Sequence, residues 1–236
     1  MRTTTLAAAA LLALLTGTAS LAASIQVRPT TVILAGNETA ASVTVTNTGN
    51  APVTAQLRIF NWNQDGNEDR LDPTTAVAAS PPMMTIAPGQ NQTIRLVRVA
   101  KERATKEESY RLLVDEIADR TVDAGTTGVN IQLRYSVPVF VMPKTRAPAR
   151  LSVTAKVADA GVVIDAVNRG DAHAQISKVS LTYADGTSQV LDPGLVGYVL
   201  PDKSRQWTLP LPASGSQGAP RSISAVVNGQ EMQVRL

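Results

Sequence analysis

Polar and apolar residues alternate along most of this chain, and the alternation is cleanest over residues 128–143, GVNIQLRYSVPVFVMP. Val129, Ile131, Leu133, Tyr135, Val137, Val139 and Val141 take every second place, with Asn130, Gln132, Arg134 and Ser136 between them. Successive side chains of a strand point to opposite faces, so this spacing predicts one long β-strand with a greasy face. Pro138 cannot donate to a ladder, which favours an edge position. A long apolar edge is normally blunted. Leaving it bare suits a strand lent to another chain; the competing reading is an ordinary core strand of a sandwich.

The same rhythm runs through the rest of the first half. Alternating runs at 25–34, 41–46, 53–62, 92–99 and 110–117 are separated by turn residues such as Gly36-Asn37, Asn47-Thr48-Gly49-Asn50 and Pro88-Gly89. Short strands with regular punctuation predict an antiparallel sandwich. No useful helical periodicity is present. The charge cluster at 101–109 reads as a solvated loop or a single helical turn. Residues 143–150, PKTRAPAR, concentrate prolines and cations and read as a stiff linker at 144–150. Beyond it the strand rhythm resumes, with hairpin signals at Asp185-Gly186 and Asn228-Gly229. Asn168-Arg169-Gly170 echoes Asn47-Thr48-Gly49, each closing a Val-rich strand. The expected organisation is an all-β chain of two domains, 24–143 and 151–236.

The first residues add a location. Arg2 precedes a short Leu/Ala run, and small residues follow at Ser20, Ala22 and Ala23. That is a cleavable secretory leader over 1–23, too short to span a bilayer. Its loss takes the formal charge from +3 to about +2, with no basic run of the kind that binds nucleic acid. An exported chain without a single cysteine must be held by its cores alone.

Catalytic chemistry is poorly represented. With no cysteine and one histidine, zinc sites and Ser or Cys triads have few residues to draw on. His173 follows a turn and reads as a solvated group. Asp65, Glu68 and Asp69 surround Gly66 without the ligand register of a calcium loop, so they read as a polar turn. Asp115 and Glu116, adjacent on a strand, point to opposite faces and cannot share a substrate. The residues point to no cofactor, metal or small-molecule substrate. Arg111 is the exception in pattern: it interrupts the apolar strand Tyr110-Arg111-Leu112-Leu113-Val114. It is either buried and in need of an anion, or it faces outward with Leu113 while Leu112 and Val114 face the core.

From residue 25 to the C-terminus the chain resembles the periplasmic chaperones of the chaperone–usher pathway. The resemblance rests on Asn47-Thr48-Gly49, Ser80-Pro81-Pro82, Pro88-Gly89-x-x-Gln92-x-x-Arg95 and Tyr110-Arg111-Leu112. A narrower likeness, to the archaic branch that builds spore-coat-like and biofilm pili, is carried by four stretches. These are Phe60-Asn61-Trp62-Asn63-Gln64-Asp65-Gly66, residues 110–117, Arg134-Tyr135-Ser136-Val137-Pro138 and Gly197-Tyr198-Val199-Leu200. The resemblance implies two immunoglobulin-like β-sandwich domains set at an angle with a cleft between them. It also implies a periplasmic, non-enzymatic protein whose partners are pilus subunits and an outer-membrane usher. The last strand of the first domain would complete the subunit's fold, with Val129, Ile131, Leu133 and Tyr135 as donor residues. A self-capping dimer is one way to hide that edge when free. A cation in the cleft would hold the subunit's terminal carboxylate. The better-studied branch uses an Arg in the first strand and a Lys in the donor strand; here those places hold Thr31 and Pro138. Arg111 is the expected replacement, with Arg95 and Arg134 as alternatives. The rival function is a secreted structural or adhesive β-sandwich module such as a pilus subunit.

Overall fold

The computed structural model describes residues 25–102, 104–117, 132–145, 148–211 and 218–236. The leader, Val129, Ile131 and residues 146–147 of the expected linker lie outside that set.

Among the described residues, the first half folds as ten strands: β1 (Ile25–Arg28), β2 (Val32–Leu34), β3 (Ala40–Asn47), β4 (Val53–Asp65), β5 (Glu68–Pro73), β6 (Val77–Ser80), β7 (Met83–Ile86), β8 (Asn91–Arg98), β9 (Glu108–Ile117) and β10 (Arg134–Val141). One sheet has the order β1-β3-β8-β6; the other runs β2-β10-β9-β4-β5, with β7 also on β4. Alternate residues of the two sheets fill one core: Val43, Val45, Ile94 and Leu96 from the first, Leu57, Leu112, Val114, Val137 and Val139 from the second. The run at 25–34, expected as one strand, is two. Pro29 interrupts it, and β1 and β2 join opposite sheets.

The strand expected over 128–143 begins, among the described residues, at Arg134. Its position is mixed. On one side it pairs with β9 along its whole length; on the other, β2 runs parallel to it only from Val139 to Val141. Among the described residues, 134–138 therefore have a free edge and 139–141 are interior. Val137, Val139 and Val141 are core residues of this sandwich, so the ordinary-core reading holds for that half of the strand.

The second half contributes β11 (Leu151–Ala158), β12 (Gly161–Asn168), β13 (Ala174–Tyr183), β14 (Ser188–Val199), β15 (Ser204–Leu209), β16 (Pro220–Val227) and β17 (Gln230–Arg235). They form sheets β11-β12-β15 and β14-β13-β16-β17 around a second core led by Ile164, Ile176, Leu181 and Ile223. The molecule is thus two all-β, immunoglobulin-like sandwiches. Among the described residues, no helix is long and apolar enough to cross a membrane.

The two echoing turns share one chemistry. Asn47 and Asn168 are fully buried. Asn47 donates to the carbonyls of Ala51 (2.7 Å) and Ile86 (2.9 Å) and accepts from Gly49 N (2.9 Å). Asn168 donates to Ala172 O (2.8 Å) and Val199 O (3.0 Å) and accepts from Gly170 N (2.9 Å) and Arg150 N (3.1 Å). In each sandwich one amide side chain satisfies a buried turn that no ladder can reach. A Cβ on Gly170 would lie 2.4 Å from Pro148 O and Arg150 N, so the second turn also needs a glycine for close approach.

Candidate functional site

Where the two sandwiches meet, the outer face of the β2-β10-β9-β4-β5 sheet carries unlike rows of side chains. Core-facing residues of β9 are Tyr110, Leu112 and Val114, so Ser109, Arg111, Leu113 and Asp115 face the other way. Register then fixes their neighbours. Asp115 stands across from Arg134 and Gln56, Leu113 from Ser136 and Arg58, and Arg111 from Pro138 and Phe60.

Arg111 combines the two expectations. It shares the outward face with Leu113, yet its side chain is only 14% exposed because the second sandwich covers it. The guanidinium lies 3.6 Å from the Trp62 ring centre and 5.6 Å from that of Tyr198. Its closest carboxylate, Asp69 Oδ2, is 4.0 Å away, and its hydrogen bond to Ser136 O is long at 3.5 Å. Burial pulls its pKa below the ordinary arginine value, and Asp69 offsets this only in part. Arg111 is a shielded cation held by an aromatic face and weakly matched by anions.

The other two candidate arginines differ. Arg134 and Arg58 (2.7 Å) both grip Asp115, and Arg134 is the more exposed of the pair. Burial pushes the Asp115 carboxyl up, but hydrogen bonds from Arg134 and Arg58 outweigh it and hold the pKa below the usual range. Arg95 lies on β8, between buried Ile94 and Leu96, and is exposed on the opposite sheet. The fold therefore places Arg111 and Arg134 on one face and Arg95 on another.

Of the expected donor residues, Val129 and Ile131 lie outside the described residues. Leu133 is half-buried just before β10, its carbonyl accepting from Glu116 N at 2.9 Å. Tyr135 packs at the rim of the core and its hydroxyl donates to Ile25 O.

The junction itself uses residues that pattern reading assigned to solvent. Trp62, Phe140, Met142, Ala172, Tyr198 and Leu200 form a third apolar cluster. The chain has only eight Trp, Tyr and Phe residues, and three of them meet here. His173 is not a solvated group. It stacks on Phe140 at 3.7 Å, and its backbone N (3.1 Å) and Nδ1 (2.8 Å) contact Glu107, whose side chain is fully buried. Lys106 reaches Asp202 at 2.6 Å. Lys106 and Glu107, within the charge cluster at 101–109, thus make contacts between the sandwiches. The β4–β5 hairpin docks likewise. Gln64 donates to Tyr198 O (3.0 Å) and accepts from Leu200 N (3.0 Å), while Asn67 Oδ1 accepts from Gln206 N (2.8 Å). Asp69 accepts from Arg205 at 3.1 Å. A sequence signal for this existed: a Trp, an amide and the Tyr of Gly-Tyr-Val-Leu in a chain otherwise short of aromatics.

Among the described residues, no group of three or more His, Cys, Asp or Glu is placed to hold a metal ion. The arrangement can bind an anion and an extended chain.

Comparison with known proteins agrees in kind. Residues 24–147 match the family model described as pili and flagellar-assembly chaperone, PapD N-terminal domain. No curated protein matches the chain. Among solved structures, one similar fold comes from the CsuC–CsuE chaperone–tip adhesion subunit pre-assembly complex of archaic chaperone–usher Csu pili of Acinetobacter baumannii. It shows 22% identity and a TM-score of 0.65, covering 90% of this chain and 98% of that one. The Pseudomonas aeruginosa CupB2 chaperone gives 18% identity and a TM-score of 0.59, covering 89% and 100%. The Salmonella enterica complex of SafA pilin with the SafB chaperone gives 15% and 0.62, covering 92% and 99%. At these identities the likeness is one of fold.

Proposed function

This chain belongs to the family of pili and flagellar-assembly chaperones, and from that membership we propose how it captures a subunit. It works in the periplasm, reached through the leader at 1–23, as a non-enzymatic carrier of the archaic branch. It lends the strand that runs through Val129, Ile131, Leu133 and Tyr135 to an incomplete subunit and hands that subunit to an outer-membrane usher. The edge of β10 over 134–138, unpaired among the described residues, supports this, because backbone groups there can extend a ladder into a partner. The archaic assignment draws support from two of the four stretches that carry the narrower resemblance, 60–66 and 197–200, which bond to each other through Gln64.

The observation that carries the site is Arg111. It is the shielded cation of this face, and it stands directly across from Pro138, one of the two places where the better-studied branch keeps its anchor. Thr31, the other, immediately precedes β2, whose Val32 lies beside Val139. Arg111 therefore reaches the same neighbourhood from the adjacent strand and anchors the subunit's terminal carboxylate. A guanidinium suits that role because it offers two parallel donors to one carboxylate. Arg134 is already engaged by Asp115, and Arg95 is on the far sheet.

The test is co-expression with a pilus subunit and recovery of the complex. Removing one partner of a buried charge pair costs about 2–5 kcal/mol, or roughly 30-fold to several thousand-fold in affinity. Arg111→Ala is expected to lose the complex and Arg111→Lys to weaken it, while Arg95→Ala and Arg134→Ala retain it. Full recovery from Arg111→Ala, with loss from either comparison, moves the anchor. Full recovery from all three leaves backbone strand addition as the whole of binding.

A further inference from the structure

The Arg111 guanidinium is one of two that converge on a single carboxylate. Arg205, on β15 of the second sandwich, reaches Asp69 Oδ1 at 3.1 Å, while Arg111, on β9 of the first, stands 4.0 Å from Asp69 Oδ2. Both arginine side chains are largely buried, Arg205 at 16% exposed and Arg111 at 14%, whereas Asp69 is 41% exposed. Among the described residues charge does not balance here: two cations share one anion. Hydrogen bonding does not balance either. Arg205 Nε and Trp62 Nε1 are buried N–H groups with no acceptor among the described residues. At 4.0 Å, Arg111 makes no hydrogen bond to Asp69. Buried donors are normally satisfied, so a cluster of unspent ones around two shielded guanidiniums is a site built for more acceptor than Asp69 supplies.

Asp69 is also placed to leave. It sits on β5, an edge strand whose residues are all exposed, just past the Gly66 turn. Its remaining bond is a 3.2 Å contact from Gln64, whose amide is held independently by Tyr198 and Leu200. Swinging the Asp69 side chain into water breaks neither the hairpin, which is pinned by Asn67 and Gln64, nor the junction.

We propose that Arg111 and Arg205 form a carboxylate clamp shared by the two domains, and that Asp69 occupies it until the subunit's terminal carboxylate displaces it. This rests on the reading of Arg111 as the anchor. The exchange is like for like, one carboxylate for another, so the two guanidiniums face one carboxylate before and after it. A chain end without a negative charge cannot drive it. Asp69 thus lowers the apparent affinity for every ligand by the fraction of time it holds the clamp, and a carboxylate ligand must outcompete it. The second domain becomes part of recognition, because one arm of the clamp belongs to it.

The test uses a short synthetic peptide of alternating valine and threonine, in free-acid and C-terminal amide forms, titrated calorimetrically into the full mature protein. The wild type is expected to favour the acid. Asp69→Asn keeps the size and the Gln64 contact but removes the competing charge; it is expected to raise affinity for the acid about tenfold and leave the amide unchanged. Arg205→Gln is expected to cut the acid-over-amide preference about tenfold. Melting curves of both variants show whether the fold is intact. A wild type that ignores the acid, with Arg111→Ala no different, overturns the anchor reading itself. A preference that depends on Arg111 but is untouched by Asp69→Asn and Arg205→Gln overturns the clamp alone. Weaker acid binding by Asp69→Asn shows that Asp69 orients the arginines instead of competing for them, and also overturns the proposal.

Discussion

Gln64→Ala probes how the two sandwiches are held in register. The side chain is almost completely buried and spans the junction. It donates to Tyr198 O at 3.0 Å and to Asp69 Oδ1 at 3.2 Å, and it accepts from Leu200 N at 3.0 Å. Alanine removes all three bonds and leaves Leu200 N and Tyr198 O buried without partners. At about 1 kcal/mol net per bond, with the further cost of stranded groups, the loss is about 3–5 kcal/mol. For a chain of this size each kcal/mol moves Tm by about 2–4 °C, so the melt is expected to fall by roughly 6–20 °C. Gln64→Glu separates the parts. It keeps the acceptor for Leu200 N but loses both donors and sets a carboxylate against Asp69, so it is expected to be at least as harmful at neutral pH. Urea unfolding followed by tryptophan emission reports both sides, since Trp62 lies in the junction and Trp207 in the second sandwich. A Gln64→Ala protein within about 1 kcal/mol of wild type refutes the reasoning, because water would then be replacing all three bonds and the junction would be open in solution.

Asn47→Ala and Asn168→Ala are each expected to cost about 2–4 kcal/mol in urea unfolding, with Asn168 the worse because it makes four bonds to Asn47's three; equal and negligible losses would mean that the turns are satisfied otherwise. Asp115→Asn is expected to destabilise the protein at pH 7, since the native carboxyl titrates below its unfolded value. A depressed folded pKa gives stability that is present above the unfolded value of about 4 and disappears as pH falls through the folded one, so mutant and wild-type urea midpoints should converge below about pH 4; a gap that persists there points to packing instead of charge.

Strand content, two domains and the shared Asn-x-Gly turn were legible in sequence, because each depends on local chemistry. Alternation reports which residues share a face, and a buried turn needs its own amide wherever it occurs. The run at 25–34 was misread because a Pro between two alternating segments does not say whether the chain resumes in the same sheet. Arg111 was legible only as an anomaly. Its strand phase was readable, but what covers the outer face was not, since that depends on a second domain roughly ninety residues further on. The same holds for His173, Glu107 and Lys106. Isolated charged or polar residues in loops look solvated, and only the packing of one sandwich on the other makes them a buried contact. Arg205 carried no sequence signal at all: it is one cation on a short alternating strand. Its approach to Asp69 joins residues 136 positions apart, a separation at which periodicity is silent and only tertiary structure decides who meets whom.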